Sequence, residues 1–201
     1  AQFALENIRV SLLLQSEAPI AERIGLALCE LGKMTSHIKS GSTVTAVHIV
    51  KNMAYVAFMG DSPAIIINES GDMVLSEVHN VYSNLRERQL AEERGGKYSR
   101  FYIYHPNGRG LQVTRSLGDS RMGKIIQREP QTFSVALDSE SIILLCSDGI
   151  IDLGHHPDEG QIDRMVRAIQ TGADAEELLD MARPLSDNAT AIVYRHLVSP
   201  D

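Results

Sequence analysis

Apolar residues recur along this chain with two different periods, and the change from one to the other marks its organisation. Ile20, Ile24, Ala27, Leu28 and Leu31 follow Pro19 at helical spacing, and proline suits the first turn of a helix. Ala1 to Leu14 is a second, less regular helical candidate, and Gly41 breaks the pattern. From Ser42 to Leu75 the period shortens. Thr43 to Val50, Met53 to Met59 and Ala64 to Ile67 are rich in β-branched and apolar residues, with Met73 to Leu75 as a further short strand. The links between them, Lys51-Asn52, Gly60 to Pro63 and Asn68 to Asp72, are short and predict an antiparallel meander.

Helical character returns at Ser83 to Arg94, where Asn84 and Glu87 have the spacing of an N-terminal cap and Gly95-Gly96 supplies a stop. Phe101 to Tyr104 reads as a strand. Asn107 to Gln131, with several glycines and many basic residues, reads as ordered loop with little helix. Thr132 to Ala136 and Ile142 to Ser147 predict strands around the turn Asp138-Ser139-Glu140. Gln161 to Gln170 and Ala173 to Arg183 predict helices, the second opened by a capping box at Asp174 and Glu177 and closed by Pro184. Ala189 to Leu197 is the last strand. No repeat and no low-complexity linker divides the chain, so a single α+β domain over 1–201 is expected, with helices flanking mostly antiparallel sheet.

Composition narrows the function classes. The 201 residues are 43% hydrophobic and 22% charged, an ordinary globular balance. A net charge of −7 argues against a nucleic-acid surface, which needs a basic footprint. Charged or polar residues interrupt every apolar run, so no membrane span is expected, and no basic start leading into a long apolar region marks a signal peptide. Cys29 and Cys146 lie far apart among apolar residues and read as buried free thiols, which points to a reducing, cytoplasmic setting.

Several chemistries are missing from the sequence. There is no phosphate-binding Gly-x4-Gly-Lys-Ser/Thr, no His-Glu-x-x-His and no Gly-x-Ser-x-Gly. Cys146 is followed by Asp148 and Asp152, acids where a cysteine phosphatase needs cations. His155-His156 is the one close histidine pair and reads as a solvated loop.

What remains are aspartates at strand ends. The run Ile142 to Ser147 ends in Asp148-Gly149; Asp187-Asn188 stands just before the final strand; Gly60-Asp61-Ser62 follows Met53 to Met59. Taken singly, each is an ordinary turn aspartate. Taken together, acids at the ends of core strands would share one cleft, and like charges brought together there are relieved by a hard divalent cation such as Mg²⁺ or Mn²⁺.

Gly41-Ser42-Thr43, Gly60-Asp61-Ser62, Gly95-Gly96, Thr114 to Asp119, Ser147-Asp148-Gly149 with Asp152, and Asp187-Asn188-Ala189-Thr190 occur in this order. The series resembles the PP2C (PPM) family of metal-dependent protein serine/threonine phosphatases, over nearly the whole chain. The resemblance implies an α-β-β-α sandwich of two antiparallel sheets flanked by helices. It also implies two, or with a weaker site three, Mn²⁺ or Mg²⁺ ions held by carboxylates and waters. By the same match Asp148 and Asp187 would be metal ligands, and Asp61 the acid near the third ion. Gly149 and Asn188 would shape the ligand loops, Asp119 would belong to a structural loop near the site, and Asp152 would fix a loop. No side chain would act as nucleophile. A metal-activated water would attack the phosphorus of a phosphoserine or phosphothreonine in a phosphoprotein substrate.

The match departs from the family in two places. The family's Arg, acidic pair and Asp-Gly-His-Gly-Gly precede its first helix, and Ala1 to Ile8 resembles the helix that follows them. The chain is therefore expected to be N-terminally truncated relative to the family, with unpaired sheet edges open to self-association. Pro63 stands where the family often has arginine. Two alternatives to an active phosphatase stay open: a catalytically inactive PP2C-like pseudophosphatase that binds or regulates partners, and a purely structural domain whose acids serve turns.

Overall fold

A computed structural model describes residues 2–151, 159–184 and 187–197. The elements begin with helices α1 (Gln2–Leu14) and α2 (Ile20–Thr35) and strands β1 (Gly41–Ser42), β2 (Val44–Val50), β3 (Met53–Met59), β4 (Ala64–Ile67) and β5 (Met73–Leu75). Helix α3 (Leu85–Glu93) leads into strands β6 (Lys97–Ser99), β7 (Tyr102–Tyr104), β8 (Gly110–Leu111) and β9 (Leu117–Gly118) and a 3-10 turn at Ser120–Met122. Strands β10 (Gln131–Ala136) and β11 (Ile142–Cys146), helices α4 (Asp148–Ile151), α5 (Glu159–Gln170) and α6 (Ala175–Met181), and strand β12 (Ala191–Arg195) complete the order. They gather into two compact units. Ala1–His48, Tyr55–Asp61 and Val78–Ser134 make the first; Ile49–Ala54, Ser62–Glu77 and Val135–Asp201 make the second.

In the first unit α1 packs on α2 through Ala4, Ile8 and Leu12, which meet a core of Ile24, Leu28, Leu31, Ala57, Met59 and Leu117. The spacing of Ile24, Leu28 and Leu31 places them on one helical stripe, and burying that stripe stabilises the helix more than its propensity does. Gly32 is needed on it because a Cβ there would come 2.4 Å from the Arg128 carbonyl oxygen. Strand β3 lies between β10 and β2, and β1 pairs antiparallel with β9. Helix α3 starts as its sequence predicts: the Asn84 side chain accepts from the Glu87 N–H at 3.1 Å. It packs near the antiparallel sheet β6-β7-β8 over a core of Val81, Ala91, Ile103, Met122, Ile125 and Ile126.

The second unit is built on the antiparallel sheet β12-β11-β4-β5. Ile65, Ile67, Ile142, Leu144 and Cys146 form one face of it and pack against Met165 and Ile169 of α5 and Leu178 of α6. Helix α6 carries the complete capping box, Asp174 accepting from the Glu176 and Glu177 N–H groups and Glu177 accepting from the Asp174 N–H.

Three expectations need correction. The strands from 44 to 75 do not form one meander, since β3 and β4 belong to different sheets. Gly60 turns at φ +109°, and both of its backbone groups bond to His79, so none is left to close β3 onto β4. The Pro63 carbonyl instead accepts from the Cys146 N–H. The stretch from 107 to 131 is less irregular than predicted, because it holds β8, β9 and the 3-10 turn, and β6 was not predicted. Strands as short as β6, β8 and β9 show no period of their own, and pairing with neighbours creates them.

The polar groups in the first unit's core are as specific as the apolar ones. Glu87, expected as a surface capping residue, is buried; Thr114 Oγ1 donates to its carboxylate and Arg115 Nη2 lies 2.7 Å from Oε1. Burial opposes ionisation of Glu87, but the bonds from Arg115 and Thr114 outweigh it and hold the carboxyl below its ordinary value. A carboxyl with a depressed folded value stabilises fully above its unfolded pKa of about 4.3, and that stability is lost as pH falls through the lower folded value. Glu87→Gln should therefore destabilise the chain by about 3 kcal/mol at neutral pH. In urea unfolding, the difference from the parent should shrink as the pH is taken below about 4.

Candidate metal centre

The register of β11 and β12 carries the candidate site. Their ladder runs from Ile142↔Arg195 to Cys146↔Ala191 and continues one step beyond the strands, with the Ser147 N–H donating to the Thr190 carbonyl at 3.0 Å. The Ser147 hydroxyl then ties the two chain ends together, accepting from the Thr190 N–H at 3.0 Å and donating to the Asn188 carbonyl at 3.3 Å. Gly149 completes the seam. A Cβ there would lie 2.4 Å from the Asn188 oxygen and 3.0 Å from its carbonyl carbon, so only glycine lets these backbones approach.

Asp148 and Asp187 are thus carried by two loop segments in direct contact at one end of adjacent strands. Asp148 is half-buried, opens the short helix α4, and accepts the Gly149 N–H at 2.9 Å. Asp187 is exposed and accepts the Asn188 N–H at 2.6 Å. Asn188 is exposed, and its carbonyl serves the seam.

Asp61 and Asp119 lie in the first unit. Asp61 is half-buried, and its Oδ2 accepts from Asn80 Nδ2 at 2.8 Å. The preceding Gly60 donates its N–H to His79 Nδ1 at 3.0 Å, while its carbonyl accepts the His79 N–H at 2.9 Å. His79 is fully buried, stacks on Phe58 at 5.0 Å and meets Gln131 Oε1 through Nε2 at 3.0 Å. Sequence reading passed over His79 and Asn80, because their partners lie 19 residues away and no short motif joins them. Asp119 is buried at φ +49°, accepts from Ser116 Oγ at 2.8 Å and pairs with Arg109 at 3.5 Å. Its carboxylate occupies the space where a Cβ on Gly41 would stand. Asp152, His155, His156 and Ser186 lie outside the described residues.

Two carboxylates on touching loops are the donor type that Mn²⁺ and Mg²⁺ prefer, so Asp148 and Asp187 fit as ligands of such an ion. Among the described residues, no group of three or more His, Cys, Asp or Glu side chains gathers to hold a metal. Cys146 offers no thiolate: burial first, and the Asp148 charge second, push its thiol up to about 12. Among the described residues no helix is long and apolar enough to cross a membrane.

The protein phosphatase 2C family model matches residues 20–193. The chain belongs to the protein phosphatase 2C family. It is 30% identical over 161 residues to probable protein phosphatase 2C 76 of Arabidopsis thaliana, a match covering 78% of this chain and 37% of that protein. It is 31% identical over 167 residues to probable protein phosphatase 2C 45 of Oryza sativa subsp. japonica, covering 81% and 57% respectively. The PP2C fold is shared with a Caenorhabditis elegans sex determining protein at TM-score 0.76 and 22% identity, covering 96% of this chain and 52% of that one. It is shared also with the catalytic domain of the serine/threonine protein phosphatase PstP, solved with two manganese ions, at TM-score 0.55 and 15% identity, covering 99% and 82%. The expected α+β architecture of antiparallel sheets and helices is therefore that of PP2C. The chain spans 37% and 57% of the length of these two plant relatives.

The seam is testable apart from any metal. Gly149→Ala forces a methyl group into the Asn188 carbonyl, a backbone group that cannot swing aside. It should cost about 1–3 kcal/mol in denaturant unfolding.

Proposed function

We propose that this chain carries two metal-binding aspartates of a Mn²⁺- or Mg²⁺-dependent protein phosphatase acting on phosphoserine and phosphothreonine. One observation carries the reading: Asp148 and Asp187, far apart in sequence, sit on loop segments that the Ser147 and Gly149 contacts hold together. Membership of the PP2C family and the manganese ions of PstP support it.

Asp148 and Asp187 would supply carboxylate oxygens to the ion, and Asp61 would serve a further, weaker site. A divalent cation, when bound, lowers the pKa of water enough to make hydroxide available near neutral pH. The chain's own residues hold the ligands in place. The Gly149 and Asn188 amides each fix one carboxylate oxygen, the Ser147 hydroxyl locks the two loops, and the neutral Cys146 thiol beneath adds no competing charge. No side chain needs to form a covalent phosphoryl intermediate. The substrate would be a phosphoprotein; nucleic acid and membrane would not be partners.

The second reading is a PP2C-like module that binds partners without turnover.

Mn²⁺ titration separates the two. Under the first reading, saturating Mn²⁺ should raise the melting temperature, by about 3 kcal/mol of stability at a hundredfold excess over Kd. Asp148→Asn and Asp187→Asn should each abolish that rise without lowering metal-free stability, because each removes one of two neighbouring like charges. Mn²⁺-dependent hydrolysis of a phosphothreonine peptide should fall by about 100-fold or more in either variant. Unchanged metal response in both variants would remove the metal-ligand reading; metal binding without turnover would favour the binding module.

A further inference from the structure

The hairpin between β6 and β7 turns on two residues, since Ser99 pairs directly with Tyr102. These are Arg100 and Phe101, and both have left-handed backbone, at φ +48° and +72°. Two-residue turns of this geometry are filled without strain by Asn-Gly, and a bulky aromatic at positive φ is an outlier. Core packing does not account for the choice. Phe101 is 42% exposed, and its ring meets Tyr82 edge-on at 4.9 Å, a residue itself 42% exposed. Leu85, three residues from Tyr82 at the start of α3, is 55% exposed. Along β7, Tyr102 and Tyr104 lie 6.1 Å apart, alternating with buried Ile103. Four of the chain's ten phenylalanines and tyrosines fall between residues 98 and 104. Tyr98 packs against the Ile103 core and Tyr104 covers Gly110, whereas Phe101 and Tyr102 at the tip are exposed.

The charge around the tip is one-sided. From Arg94 to Gly118 the sequence has five Lys or Arg and no Asp or Glu, in a chain of net charge −7. Arg94 donates to the Ile125 carbonyl, Arg115 pairs with buried Glu87 and Arg109 with buried Asp119. Lys97 and Arg100 are exposed on the hairpin, and Arg86 is exposed in the first turn of α3. Glu92 and Glu93 lie at the opposite end of that helix. The α3 N-terminus adds its dipole to the same sign.

We propose that the Arg100–Phe101 tip, with Tyr82, is a docking surface for an extended acidic segment of a partner protein that carries an apolar side chain among its carboxylates. Aromatic anchors ringed by cations are suited to such a ligand, the rings excluding water and the cations steering and orienting the chain. Backbone strain held at an exposed tip is a recurrent mark of a functional position, because a relaxed turn residue would lose the side chain the function uses. A single-stranded nucleic acid could stack on the same rings, but the acidic whole chain disfavours it. The surface does not depend on whether the chain hydrolyses phosphoesters.

Fluorescence anisotropy tests this with the 201-residue chain and three probes: a labelled peptide of alternating glutamate and leucine, its lysine–leucine counterpart, and an oligothymidylate. The glutamate–leucine peptide should bind, more weakly as salt rises. Arg100→Glu should cut its affinity by about tenfold or more. The double variant Arg100→Asn with Phe101→Gly should lose affinity to a similar extent while its melting temperature rises, because the turn is relaxed and the anchor gone. The proposal is overturned if the glutamate–leucine peptide does not bind, if the lysine–leucine peptide or the oligothymidylate binds as tightly, or if the double variant keeps its affinity. A fall in the double variant's melting temperature would overturn it as well, since Phe101 would then be a packing residue.

Discussion

The candidate site depends on a single seam, the continuation of the β11–β12 pairing beyond the strands themselves. A ladder that ended at Cys146↔Ala191 would leave Asp148 and Asp187 on two independent loops. Ser147 prevents that by using its N–H and its hydroxyl on the facing chain, and Gly149 by having no side chain to hold the backbones apart. The loop segments that carry the two carboxylates are thereby held in contact. The hydrophobic face of the same sheet, packed on α5 and α6, gives the seam its rigidity.

The first unit uses the same device with different groups. His79 satisfies both backbone groups of Gly60, Asn80 holds the Asp61 carboxylate, and Asp119 fills the space above Gly41 while bonded to Ser116 and Arg109. His79 and Asn80 act across 19 residues, and Asp119 across 3 and 10. Their common effect is to hold loops in one conformation, which apolar packing alone does not do, because it specifies volume and not direction. The Arg100–Phe101 turn stands apart from this economy. It is strained where an unstrained alternative exists, and it exposes apolar surface where the fold could have hidden it.

Membership of the PP2C family gives the seam its context. Cys146, next to the seam, holds a thiol that burial and the Asp148 charge keep neutral. With 37% and 57% of the two plant relatives' length spanned, the activity of those whole proteins is carried to this chain as a proposal, and the aspartate pair is where that proposal meets its own residues.

Much of this was legible from residue order alone. The ranges 53–59, 64–67 and 73–75, the stripe on α2, the Asn84 cap and the capping box at Asp174 follow from local periodicity and local hydrogen bonding, which act over a few residues and leave their mark in the sequence. The strand-end aspartates and the glycine beside Asp148 were likewise visible, as was the ordered motif series that resembles the family. What tertiary structure alone decided was direction and partnership. Glu87 has the spacing of a solvated cap residue, yet it turns inward to Arg115 and Thr114. Gly60 closes no hairpin, because His79 takes both of its backbone groups. The two-residue strands exist only through their neighbours. A hydrogen bond or charge pair between distant residues costs the sequence one position at each end and imposes no period between them, so it becomes readable only when the chain has folded.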